Sequence, residues 1–184
     1  MRVPSEQEEI HENLWNKDVT PENYGSDRSL FYQHVMEQYK ICLEMADRIS
    51  SRRATANAFF LTLHSLIIGT FGVVVEQGWE IHSRLLIILI TILLLFLCFA
   101  WGWLIRSYRQ LNTAKFKVIG ALEQKLPGRP FVSAEWKALG EGNDPSKYVP
   151  LTKVEVWIPW VFAAFYLSTA VFLFVTISTS GSAS

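Results

Sequence analysis

Between Leu85 and Ile105 the chain reads LLIILITILLLFLCFAWGWLI, without one charged residue. At about 1.5 Å per residue this run is long enough to cross a hydrocarbon core about 30 Å thick. Fifteen of its residues are Leu, Ile or Phe. At about −0.3 to −0.6 kcal/mol each they favour insertion by roughly 5 to 9 kcal/mol. A segment of this kind is read as a membrane-spanning helix, and the rest of the chain has to be compatible with it.

Two further stretches qualify. TANAFFLTLHSLIIGTFGVVV, Thr55 to Val75, is long enough but diluted by Asn57, Thr62, His64, Ser65 and Thr70. VEVWIPWVFAAFYLSTAVFLFVTI, Val154 to Ile177, carries one charge, Glu155, at its edge. Pro159 is expected in its first turn, where a missing N–H is tolerated. Half of the 184 residues are apolar and 14% are aromatic, bunched rather than interleaved, which excludes an ordinary soluble domain. The first 28 residues are acidic and polar, so no cleavable signal peptide is expected ahead of the spans.

Basic residues set the expected orientation. Residues 1–53 hold seven Lys or Arg and residues 106–153 hold nine, whereas residues 76–84 hold one and the STSGSAS tail none. The positive-inside rule then places the N-terminus and residues 106–153 in the cytoplasm, with the short connection and the C-terminus outside. Trp101, Trp103, Trp157 and Trp160 are expected to form an aromatic belt at the cytoplasmic interface. The formal charge of zero hides nine basic against four acidic residues in the 106–153 segment. Anionic lipid is the ordinary counterpart of such a surplus, with Arg52, Arg53, Arg106 and Arg109 as its candidate contacts, and nucleic acid is the less favoured one. Cys42 and Cys98 lie too far apart for a disulfide.

Neither of the first two spans is interrupted where it meets the polar sequence beside it. Upstream of the first, Val35, Tyr39, Cys42, Ala46 and Ile49 follow the alternating four and three spacing of a helix seam. The simplest reading is one helix from about Leu30 to Val75. After the second span, SYRQLNTAKFKVIGALEQKLP continues the period through Tyr108, Leu111, Val118 and Leu122, with Lys115 packing its stem. Pro127 and Gly128 stop it. A short connection makes the two helices antiparallel neighbours. The expected fold is an all-α membrane protein with three transmembrane helices, the first two extended into the cytoplasm as a long antiparallel hairpin. Its parts are a polar acidic segment at 1–28 and a hairpin at 29–126. Within the hairpin, 29–54 is cytoplasmic, 55–75 the first span, 76–84 the outside loop, 85–105 the second span and 106–126 cytoplasmic. A cytoplasmic loop at 127–153 follows, with a short helix at 133–139 capped by Ser133 and stopped by Gly140. The third span at 154–177 and an outside tail at 178–184 complete the chain.

Ala58, Thr62, Ser65, Gly69 and Gly72 form a small or hydroxylated stripe along the first span. Such a stripe suits close helix packing, within a protomer or between subunits, and a pore lining is the sharper alternative. His64, an ionisable group at membrane depth, raises pore lining or pH sensing. Its simpler reading is a neutral histidine hydrogen-bonded to a neighbouring helix. Arg28 and His34 fit the loose Arg-to-His spacing of HEPN-type ribonucleases, a match that chance supplies at this composition. The acidic EQEEIHENLW has no second cluster to complete a metal site, so it reads as a solvated segment. Asp144, Lys147 and Tyr148 are exposed polar candidates in a loop that needs such residues anyway. No phosphate-cradling glycine loop, paired Cys motif or nucleophile elbow is present. No catalytic residue, cofactor or metal is therefore expected.

ADRISSRRATANAFFLTLHSLI at 46–67, SYRQLNTAKFKVIGALEQKLP at 107–127 and AEWKALGEGNDPSKYVPLTKVEVWIPWVF at 134–162 together resemble a family of small bacterial integral membrane proteins. Its architecture is similar to SLATT-type effectors of antiphage defence and to the accessory proteins of RADAR-type systems. The resemblance implies a multi-pass protein of the bacterial inner (plasma) membrane, with a cytoplasmic sensing part coupled to spans that perturb the bilayer. The function expected is a non-enzymatic, homo-oligomeric membrane effector that receives a signal or a soluble cytoplasmic partner. The alternative is a membrane-anchored adaptor that recruits or restrains such a partner.

Overall fold

The computed structural model describes residues 6–77 and 83–180. Most of the expected outside loop and the end of the tail lie outside the described residues. The protein is 83% helical, with no strand among the described residues. The helices are α1 (Glu6–Leu14), α2 (Arg28–Glu76), α3 (Arg84–Glu123), α4 (Trp136–Ala138), α5 (Leu151–Glu155) and α6 (Ile158–Ser180). Three of them, α2, α3 and α6, are long and apolar enough to span a membrane. Helices α2 and α3 form a long hairpin. Tyr39 meets Glu123 and Asn57 meets Trp101, so one number falls as the other rises, as antiparallel packing requires.

The chain divides into two compact units: a polar unit of Met1–Arg52 with Tyr108–Pro150, and an apolar unit of Arg53–Ser107 with Leu151–Ser184. In the polar unit, α2 buries Phe31, Val35, Tyr39, Ala46 and Ile49, with Cys42 half-buried. The steps of three and four keep one face of the helix turned inward. Tyr39, Ala46, Ile119 and Leu122 are the centre of this core, and Leu14, Trp15, Cys42, Leu43, Val118 and Leu126 pack against it. Residues before Arg28, expected to be a solvated segment, therefore contribute helix α1 and two core side chains.

The α3 seam departs from the expected one at a single position. Leu111 is 48% exposed, and the inward line instead runs through half-buried Tyr108, Asn112 and Lys115 to buried Ile119 and Leu122. Sequence hydrophobicity selected Leu111 over Asn112, whereas the strict four-three register set by Ile105, Tyr108 and Ile119 selects Asn112. The short helix expected at 133–139 is also different. A wide π-type turn spans Pro130–Glu135 and leads directly into α4. Ser133 lies inside that turn and makes no cap, while Gly140, at φ +67°, ends the helical run. Only glycine takes such a φ without strain.

In the apolar unit, Cys98, Ala163 and Tyr166 form a core packed by Ile68, Leu94, Leu95 and Phe162. The third span is not one helix from Val154: α5 ends at Glu155 and α6 starts at Ile158. Pro159 causes the break, because its missing N–H and its ring cannot follow a preceding helical turn but fit the first turn of a new helix. Gly102 of α3 faces that proline, where a Cβ would make an ordinary van der Waals contact with the Pro159 Cβ at 3.9 Å.

Candidate functional site

The apolar unit has a polar centre built by all three spans. His64 of α2 is completely buried. Its Nδ1 lies 2.7 Å from the Tyr166 hydroxyl of α6. Its ring stacks on Trp101 of α3 at 5.5 Å and 20°, and lies tilted against Phe162 at 5.0 Å. Two turns earlier on α2, the Asn57 Oδ1 accepts a 2.9 Å hydrogen bond from the Trp101 indole N–H. Phe60 also stacks on that indole, its ring nearly parallel at 5.5 Å. Hydrogen bonds between spans replace the unpaired polar groups that hydrocarbon would penalise. The His64 Nε2 is buried without a hydrogen-bond partner. Trp101, expected in an interfacial belt, is fully buried here, whereas Trp103, Trp157 and Trp160 are 68%, 70% and 56% exposed. Its N–H needs an acceptor, and Asn57 supplies one inside the protein.

The small-residue stripe lies elsewhere. Ala58, Thr62, Ser65, Gly69 and Gly72 are all exposed. At 100° per residue they occupy a flank of α2 about 120° away from His64. His64 does not share their face: it packs between the spans of its own protomer, hydrogen-bonded to Tyr166 and enclosed by aromatic rings on another flank. A Cβ added at Gly69 or Gly72 would meet nothing within 4 Å. These glycines do nothing for the packing of their own protomer. Gly120 is the contrast, because a Cβ there would come within 3.1 Å of Val132.

Arg52, Arg106 and Arg109 are exposed, as a lipid-facing base needs to be. Arg53 is not: its side chain is only 15% exposed and its Nε lies 3.4 Å from the Glu155 carboxylate, itself 19% exposed. The contact is Coulombic rather than a hydrogen bond, since both atoms lack hydrogen-bond geometry. Glu155 at the end of α5 is the only carboxylate in the third apolar stretch, and it claims the arginine that lipid was expected to take.

In the polar unit the buried group is Glu123, fully enclosed at the end of α3. Its Oε1 accepts from the Tyr39 hydroxyl at 3.1 Å and from the Phe131 N–H at 3.1 Å. Its Oε2 accepts from the Val132 N–H at 3.2 Å. The carboxyl thus caps the turn that follows and ties it to α2, while Gly120 lets Val132 settle on α3. Burial, and then the adjoining Glu123, push the Tyr39 hydroxyl up to about 12. Sequence reading missed Glu123. Its signal was that α3 carries no other acidic residue over its 40 positions, so a lone carboxyl just before Pro127 asked for a partner.

The remaining candidates sit in local structure. His34 Nδ1 lies 3.1 Å from the Tyr24 hydroxyl, which occupies one ring nitrogen of the ribonuclease-like pair with Arg28. Asp144 accepts from the Ser146 hydroxyl and pairs with Lys147 at 3.6 Å. Those partners hold its carboxyl below the usual range. Among the described residues, no three His, Cys, Asp or Glu side chains gather as metal ligands do. Glu6 of α1 pairs instead with Lys117.

No curated protein and no solved structure matches the chain. A family model does match, over residues 36–176, which takes in all three spans and most of the hairpin. On that match the chain belongs to the octameric membrane protein family (8xMP).

Proposed function

We propose that this chain is a non-enzymatic subunit of a membrane-embedded homo-oligomer, eight copies by the family's name, whose spans open a leak when the polar unit receives a signal or a soluble partner. The exposed stripe of α2 carries the reading. Lipid tails are as apolar as Leu, so spans associate by close packing of small residues rather than by a hydrophobic drive. Gly69 and Gly72 offer that approach and have no use for it within the protomer. A second copy of α2 is the occupant that explains them.

The distribution of Lys and Arg supports a polar unit in the cytoplasm of a bacterial inner membrane. Ile41, Met45 and Leu111, 56%, 44% and 48% exposed on that unit, suit docking of a soluble protein. Antiphage defence is the use that the architectural resemblance supports. The test is to express the protein with its neighbouring gene products and follow membrane potential with a voltage-sensitive dye. Depolarisation under triggering conditions is expected. Unchanged polarisation with stable recruitment of a soluble protein would replace the effector by an adaptor.

A further inference from the structure

The polar unit holds a cavity of about 450 Å³ where the segment after α1 folds over the start of α2. Such a volume lies within the range of about 300 to 1,000 Å³ usual for small-molecule sites. Its chemistry is one-sided. Trp15, Phe31 and Tyr32 supply aromatic surface, Lys17 and Lys125 supply charge, and no lining residue is acidic. The Lys125 Nζ stands 3.5 Å from the centre of the Trp15 ring. That contact leaves the ammonium its hydrogen-bond donors. The Trp15 Nε1–H is buried without an acceptor, and an indole N–H can only donate. Asn16 uses its carbonyl oxygen on the Asp18 N–H at 3.2 Å, so its amide N–H group is left as the donor. Lys17 is shared with Glu12 at 3.8 Å, both of them exposed.

Ammonium and amide donors gathered around aromatic surface call for an acceptor-rich anion that also carries a flat ring. We propose that this cavity binds a nucleoside phosphate, its base against the aromatic side chains and its phosphate on Lys125 and Lys17. Tyr32, 55% exposed, offers the ring face on which a base can stack at about 1 to 3 kcal/mol. Every lining residue except Lys125 precedes residue 36, where the family match begins.

The test is calorimetric titration of the full chain in detergent with AMP, set beside adenosine, inorganic phosphate and salicylate, a ring carboxylate. AMP should bind saturably, with adenosine and phosphate each weaker by about tenfold or more. Lys125→Ala, at an exposed position, should weaken AMP about tenfold and leave helix content unchanged. Tyr32→Ala, which removes the exposed ring face, should weaken it about tenfold. No saturable AMP binding up to about 5 mM, or equal binding in Lys125→Ala, overturns the proposal. Salicylate binding as tightly as AMP overturns the assignment to a phosphate. Binding is read without reference to membrane potential, so this site and the proposed leak stand or fall separately.

Discussion

The two units share the same pair of helices, yet each fixes its core by different chemistry. The polar unit buries a carboxyl and surrounds it with donors, one from a phenol and two from backbone N–H groups. The apolar unit buries an imidazole and surrounds it with rings, with a single hydrogen bond to Tyr166. In water, the hydrophobic effect gathers aliphatic side chains at heptad spacing, and one polar node sets where the loop attaches. In lipid that drive is absent, so shape, stacking and side-chain hydrogen bonds between spans select the neighbours. A continuous helix that crosses from one solvent to another must change its packing code part-way along. In α2 the inward line passes from Val35, Tyr39, Ala46 and Ile49 to Asn57 and His64.

This contrast can be broken first at Glu123. Glu123→Ala should destabilise the polar unit by about 4 kcal/mol, since a buried phenol and two N–H groups lose their acceptor together. Faster proteolysis around Phe131, measured against wild type, checks it. If the cleavage rate does not change, the carboxyl is not what holds the loop. His64→Ala is next, at about 3 kcal/mol, because it leaves a cavity among Trp101, Phe162 and Tyr166 in a site too crowded to collapse. Unfolding in detergent, followed by tryptophan fluorescence, reads that loss.

The smallest effect concerns Tyr39 and has a defined pH window. Its folded value of about 12 stands above the unfolded value near 10. The neutral hydroxyl's contribution is therefore fully present below about pH 10, and it is lost as pH rises from there to about 12. The loss amounts to about 3 kcal/mol. Tyr39→Phe should lower stability at pH 7 by about 1 kcal/mol and flatten that alkaline decline relative to wild type. Parallel alkaline curves for the two proteins would detach Tyr39 from the node.

The elements of the fold were legible because they rest on strong local signals. Residues 85–105 can scarcely be anything but a span, and the unbroken period from Val35 to Ile49 gives one face of α2. Leu111 and Asn112 show where that reading gives way. Hydropathy favours the leucine, but register, fixed by neighbours three and four residues away, places the asparagine inward. Glu123 and Arg53 show a second limit. A charge in sequence looks like a charge for solvent or lipid, and only the chain's return from the loop at Phe131 or from Glu155 supplies the partner that buries it. The stripe from Ala58 to Gly72 was visible as a pattern, while its direction was not. Facing is a tertiary property, and His64, which lies among the same residues in sequence, faces the other way.

The central claim is that this outward stripe is the contact between subunits. Gly69→Leu tests it most directly, with particle mass measured in mild detergent beside the wild-type protein. Because a Cβ at that position meets nothing within 4 Å in the protomer, the variant should keep its helix content and fall to smaller species. An oligomer of unaltered mass would place the subunit contact on another face and contradict the account.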